Sequence, residues 1–213
     1  LEDTILVGSH LDSVDAGPGI NDNGSGTATT LELAIQASLH LKESKHKMRF
    51  CWWGGEELGL LGSTHYVSQL DSEEKSLIKA NINLDMVASP NKFYGVYNGS
   101  MAHEAIRNAS KHITDLFFAF FKSQNIYAET TDFDGRSDYG PFIANDTLIA
   151  AGGLFTGAEQ LKSENQRLKV GGLTNAAFDP CYHQACDSIH NIDKEALLIN
   201  ARASAYVLKK LVQ

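Results

Sequence analysis

No stretch of this 213-residue chain approaches the roughly 20 consecutive apolar residues that a membrane-spanning helix needs. Basic residues are the scarcer charge, 18 Lys and Arg against 26 Asp and Glu, and they form no cluster. A net charge of -8 therefore argues against nucleic acid or an anionic membrane surface as the main partner. Proline is rare at 4 residues, and no repeat, low-complexity tract or linker-like segment divides the chain. One domain over residues 1–213 is expected. No secretory leader pattern precedes the first apolar run; the chain opens on Leu1-Glu2-Asp3 and enters a strand-like segment at Thr4, so further residues are expected upstream.

Cysteine is also scarce, with 3 residues. Cys51 lies in the apolar run Phe50-Cys51-Trp52-Trp53 and reads as a buried thiol. Cys181 and Cys186 stand close together and are open to three readings: a disulfide, two thiolate ligands, or reduced thiols. Their spacing is not that of a zinc ribbon, and no second pair exists to complete a tetrahedral thiolate site. The disulfide is favoured, and it implies an oxidising compartment. Glycosylation sequons at Asn98, Asn108 and Asn145 point the same way, to a secreted or vacuolar protein. Asn23 also starts a sequon, but in a loop where a glycan would block the site described next.

What is present is an alternation of apolar runs and helix-like periods. Strands are predicted at Ile5–Gly8, Met48–Trp53, Ala80–Val87, Phe93–Tyr97 and Leu148–Ala151. Helices are predicted from Ser25 to about Lys42, with Leu31, Ala34, Ile35, Ala37 and Leu39 at helical spacing; from Leu58 to Leu70, with Leu60, Leu61, Tyr66, Val67 and Leu70 inward; from Met101 to about Gln124; and after a cap at Asp193 through Lys210. Strands that are apolar throughout and separated by helices imply a mostly parallel sheet covered on both faces. In such sheets, function gathers beyond the carboxyl ends of the strands. His10 and Asp12 follow the first strand, Glu56 and Glu57 the second, and Asp85 ends the third.

Each of these has a plainer alternative. His10 with Asp12 is a His-x-Asp pair, either a solvated loop histidine or a ligand whose second nitrogen the carboxylate holds. Asp22, among Gly19, Asn21, Asn23, Gly24 and Gly26, is a turn residue capping the next helix or a carboxylate bridging two cations. Glu56-Glu57 is a pair favoured by a helix dipole, or one ligand beside one free base. Asp85, charged at the end of an apolar strand, is costly unless paired or ligated. His183 sits between Cys181 and Cys186, in a loop that a disulfide would stiffen. The remaining histidines lack such surroundings. Together His10, Asp22, Glu57, Asp85 and His183 offer mixed nitrogen and oxygen donors to two cations sharing Asp22, a set that suits Zn²⁺ in open catalytic sites.

The runs Gly8-Ser-His-Leu-Asp-Ser-Val-Asp-Ala-Gly-Pro-Gly-Ile-Asn-Asp-Asn-Gly-Ser-Gly26, Trp52-Trp-Gly-Gly-Glu-Glu-Leu-Gly59, Asn83-Leu-Asp-Met86, Phe133-Asp-Gly-Arg-Ser-Asp-Tyr-Gly-Pro-Phe142, Gly152-Gly-Leu-Phe-Thr-Gly157 and Asp179-Pro-Cys-Tyr-His-Gln-Ala-Cys-Asp187 resemble the co-catalytic dizinc aminopeptidases. Within them the sequence is most similar to the fungal vacuolar and secreted aminopeptidase Y type, with bacterial secreted leucyl aminopeptidases as cousins. The resemblance implies a zinc-exopeptidase fold and two Zn²⁺ ions, one on His10, Asp22 and Asp85, the other on Asp22, Glu57 and His183. It makes Glu56 the general base and places Asp12 behind His10. It also implies that Tyr182 and Arg136 contact substrate, that Phe155 lines the first side-chain pocket, and that a cis peptide joins Asp22 to Asn23. The expected activity is hydrolysis of the first peptide bond of peptides with a free N-terminus and a large apolar first residue, by a monomer, using a hydroxide bridged by the two ions.

Family domains of this kind normally carry further sequence before the first strand found here. They also carry Gly-Ile-Pro-Ala-Gly-Gly before Leu-Phe-Thr-Gly, where this chain reads Asn145-Asp-Thr-Leu-Ile-Ala-Ala-Gly-Gly; the missing proline and altered length bear on the pocket wall and hence on selectivity. The competing expectations are a dizinc carboxypeptidase with Arg136 gripping a terminal carboxylate, a single-zinc glutaminyl cyclase, and a non-catalytic receptor or binding module on the same fold.

Overall fold

A computed structural model describes residues 3–213. In chain order the elements are β1 (Thr4–His10), α1 (Gly26–His40), β2 (Lys47–Trp53), α2 (Leu61–Gln69), α3 (Ser72–Leu77), β3 (Ile78–Leu84), β4 (Gly95–Tyr97), α4 (Glu104–Ser123), β5 (Glu129–Thr131), α5 (Gly140–Ile143), β6 (Ala151–Phe155), α6 (Glu164–Val170) and α7 (Lys194–Val212). The strands form one mixed 6-stranded sheet in the order β2-β1-β3-β6-β4-β5. All pairings are parallel except β4 against β6.

Alternation along β1 divides the core. Ile5 and Val7 face the layer of α1, α4 and α7, where Leu33, Ile113, Phe117, Phe121, Val207 and Leu208 pack with Ile82 and Leu84. Leu6 faces the opposite side, where Trp53, Val67, Phe142 and Ile149 close a second cluster beneath α2 and α5. Both faces of the central strands are thus dry, and each fully buried aliphatic side chain contributes about 1.5–3 kcal/mol. Helix α7 starts where Asp193 accepts a hydrogen bond from the Ala196 amide, the expected cap.

Two expectations about facing are overturned. Leu31, Ile35 and Leu39 of α1 are 52, 45 and 57% exposed, and the face against the sheet is Thr29, Thr30, Leu33 and Ala37. Leu61 of α2 is likewise exposed. The last predicted strand is also displaced: Leu148 has a left-handed backbone, and pairing begins at Ala151.

Candidate metal centre and active site

Strand β1 ends at His10, which is 1% exposed. Beyond it, a turn at Ile20–Ser25 carries Asp22 and contains the cis peptide Asp22–Asn23. Side chains of this turn are stapled to the segment that follows β3. Asn23 Oδ1 accepts from the Met86 amide, Ser25 Oγ from the Val87 amide and Asn21 Oδ1 from the Ala88 amide. The turn is thereby fixed against the strand end that supplies Asp85.

Asp22 divides its two carboxylate oxygens. Oδ1 lies 3.2 Å from His10 Nε2, which is itself 3.3 Å from Asp85 Oδ1. Oδ2 lies 3.1 Å from His183 Nε2, which is 3.0 Å from Glu57 Oε2. The result is two triads, His10/Asp22/Asp85 and Asp22/Glu57/His183, with donor atoms in each within 4.8 Å of one another. Glu57 Oε1, Asp85 Oδ1 and His183 Nε2 are buried with no hydrogen-bond partner. Unpartnered donors of this kind, in a set of imidazole and carboxylate without thiolate, fit divalent cations such as Zn²⁺.

The electrostatics agree. Burial opposes a charged imidazole at His10, yet Asp85 and Asp22 overcome it and raise its pKa to about 12. Burial, then repulsion from Asp85, pushes Glu56 up to about 9, and burial with Asp22 pushes Glu57 to about 7. Burial also raises Asp22, while at Asp85 it is outweighed by His10 and Ser137, which hold the carboxyl low. These carboxylates crowd together at a cost that protons offset, and bound cations would offset it in their place.

Asp12 acts differently from the expectation for its carboxylate. His10 Nδ1 is 3.0 Å from the Asp12 main-chain oxygen and 3.6 Å from Oδ1. The two carboxylate oxygens instead accept the amides of Glu56 and Glu57, at 3.2 and 3.3 Å. One residue thus orients the imidazole through its carbonyl and the Glu56-Glu57 turn through its side chain.

Cys181 and Cys186 form a disulfide around His183, whose backbone is left-handed at φ 56. Tyr182 stacks on the His183 ring, and burial raises its pKa, so it remains a phenol donor. Tyr182, Arg136 and Phe155 line one cavity of about 350 Å³ together with Asp22, Glu56, Glu57, Asp85 and His183.

Several contributors were not visible in the sequence. Asp187, 2% exposed, accepts the Asn21 amide at 2.9 Å and the Asp22 amide at 3.0 Å. Asp179 accepts from Asn21 Nδ2, Asn191 Nδ2 and the Cys181 amide. Ser137 donates to Asp85 Oδ2 at 2.6 Å. Buried acids ahead of and behind the Cys-Tyr-His-Gln-Ala-Cys loop were the available signal, but both also read as turn residues.

Residues 2–208 match the family model described as Peptidase family M28. The chain belongs to peptidase family M28. Among curated relatives, an aminopeptidase of Pseudomonas aeruginosa is 49% identical over 205 residues, 95% of this chain and 38% of that protein. Leucine aminopeptidase 2 of Trichophyton rubrum is 45% identical over 206 residues, 96% of this chain and 41% of its own length. Among solved structures, a zinc aminopeptidase from Bacillus subtilis superposes with a TM-score of 0.79 at 28% identity, over 100% of this chain and 47% of that one. The chain thus spans less than half the length of these relatives. A glutaminyl cyclase from Porphyromonas gingivalis shares the fold alone, at 17% identity.

Proposed function

We propose that this M28 chain is the catalytic part of a zinc-dependent aminopeptidase that binds two Zn²⁺ and releases large apolar first residues from peptides with a free N-terminus. The observation that carries the reading is Asp22, one carboxylate oxygen in each of two histidine–carboxylate triads. The similar zinc aminopeptidase from Bacillus subtilis and the leucine aminopeptidase from Trichophyton rubrum support it.

His10, Asp22 and Asp85 would hold one ion and Asp22, Glu57 and His183 the other. Zinc, when bound, supplies Lewis acidity and brings the pKa of water toward about 7. The chain's own residues do the rest. Glu56 lines the cavity, and with the neighbouring carboxylates neutralised by bound cations it would take a proton from the attacking water and return it to the leaving amine. Tyr182 donates its phenol O–H to the developing oxyanion. Carboxylates at Glu56 and Asp85 attract the substrate's terminal ammonium, which restricts cleavage to the first bond. Phe155 packs on the first side chain and Arg136, exposed at the cavity rim, orients the remaining peptide.

The same reading assigns the protein to a secreted or vacuolar, oxidising compartment as a monomer. The disulfide supports the compartment, as do sequons at exposed Asn108 and Asn145 and half-buried Asn98. Asn23 is 1% exposed and is not a glycan acceptor.

Metal analysis with hydrolysis of leucyl-p-nitroanilide tests the proposal, against an N-blocked peptide with a free carboxyl end. About two zincs and cleavage of the first substrate alone are expected. Cleavage of the second alone would favour the carboxypeptidase, and an inert, metal-poor protein the binding module. Glu56→Gln is expected to lose turnover by at least about 10²-fold while keeping its metal.

A further inference from the structure

The peptidase reading leaves open what faces Phe155 across its pocket. Gly95 pairs with Phe155 on one side and with Glu129 on the other, so the three stand in one row across β6, β4 and β5. Residues paired across neighbouring strands send their side chains to the same face, and two strand spacings separate Phe155 from Glu129 by about 10 Å. Between them Gly95 has no side chain. A Cβ there would meet the Phe93 ring at 2.6 Å, so Phe93 fills that space. Its ring is edge-on to Phe155 at 6.2 Å between centroids and 4.8 Å from Phe178.

The pocket is therefore aromatic along Phe155, Phe93 and Phe178, with a carboxylate on its far side. All four residues line the cavity that contains Glu56 and His183. Glu129 is half-buried and held only by neutral donors, Gln166 Nε2 on Oε1 and the Tyr127 hydroxyl on Oε2 at 3.2 Å. Among the described residues it enters no ion pair. Neutral donors orient a carboxylate without cancelling its charge.

Resting on the aminopeptidase reading, we propose that Glu129 is a specificity-determining residue that admits lysine and arginine as first residues. The methylene stem lies along the phenyl rings, as long cationic side chains do on apolar surfaces. An extended lysine side chain reaches about 6 Å from its Cα, enough to carry its ammonium from the Phe155 side toward Glu129. Apolar first residues still fit against the same rings. An acidic first residue is repelled.

The test measures binding of free L-lysine, L-norleucine and L-glutamate to the zinc-loaded protein and to Glu129→Gln by calorimetry. Norleucine keeps the stem of lysine without its charge, and none of the three is turned over. Glu129→Gln is expected to weaken lysine about tenfold, equivalent to about 1.4 kcal/mol, and to move norleucine by less than about twofold. Glutamate is expected to bind the variant better than the native protein, a gain that a misfolded variant would not give. Equal effects on lysine and norleucine, or no effect on lysine, would overturn the proposal. Failure to hydrolyse leucyl-p-nitroanilide would instead strike the peptidase reading, and the binding contrast would still decide the pocket.

Discussion

Asp187 donates no ligand atom in either triad, yet it sets the position of the residue that joins them. Its two oxygens accept the consecutive amides of Asn21 and Asp22, and Oδ1 also accepts from Asn191 Nδ2 at 3.1 Å. Asp187→Asn keeps the shape but turns one acceptor into a donor facing an N–H. Zinc affinity is expected to fall about 10–100-fold, the usual loss when a group that orients a ligand is removed. Chelator competition measures it, with far-UV circular dichroism confirming an intact fold; unchanged affinity would show that Asp22 needs no such support. His10, Glu57 and Asp85 were legible as candidate ligands because each follows or ends a strand, and Asp22 and His183 because of their loops, and the structure brings all five together. Asp187 was not, since its partner Asp22 is 165 residues away and nothing in either neighbourhood announces the pairing. Asp12 was half legible: its place behind His10 was right in position, while its carboxylate serves Glu56 and Glu57.

Among the elements, periodicity identified α1, α4 and α7 because each repeats apolar residues at helical spacing over 15 to 20 residues. It misjudged which face of α1 is inward. The face against the sheet runs through Thr29, Thr30, Leu33 and Ala37, so of the expected stripe Ala37 is inward while Leu31, Ile35 and Leu39 are exposed. Buried threonines displaced the stripe, and a hydrophobicity pattern does not carry them. Strand β6 runs over Ala151–Phe155, later than the apolar run Leu148–Ala151 predicts, and it includes Gly152 and Gly153. In the fold, a Cβ on Gly152 would meet Ile113 of α4 at 2.6 Å, so glycine is there for close approach. β5 and α5, with 3 and 4 residues, are too short to show any period. The disulfide loop carries its own expectation. His183 holds a left-handed backbone, which costs a non-glycine residue about 1–2 kcal/mol and is held here between Cys181 and Cys186. Replacing both cysteines with serine is expected to weaken the Asp22/Glu57/His183 triad more than the His10/Asp22/Asp85 triad. Stepwise zinc removal by a graded chelator would then lose one equivalent early; simultaneous loss of both would refute this.

For the molecule as a whole, the cleft concentrates like charge in a chain already at -8. Burial and neighbouring carboxylates raise Glu56 to about 9, Glu57 to about 7 and Asp138 to about 7, each from a carboxylate's ordinary value near 4.5 or below. His10 is raised as well, to about 12, in the metal-free protein. A folded pKa above the unfolded value means that the folded state binds more protons between the two, so each group favours folding at low pH and loses that contribution as pH rises through its folded value. All four groups act in the same direction. The thermal midpoint of the chelator-treated protein is therefore expected to fall steadily between about pH 5 and pH 9. On the proposed reading zinc would displace the protons on His10 and Glu57 and offset the charge of their neighbours, so its stabilisation should grow across the same window. Binding should also release protons, seen as a calorimetric enthalpy that varies with the ionisation enthalpy of the buffer. Differential scanning calorimetry with and without zinc at several pH values checks both. A metal-free midpoint that rises toward pH 9, or a zinc shift independent of pH, would mean that the buried carboxylates are compensated by something other than the metal ions.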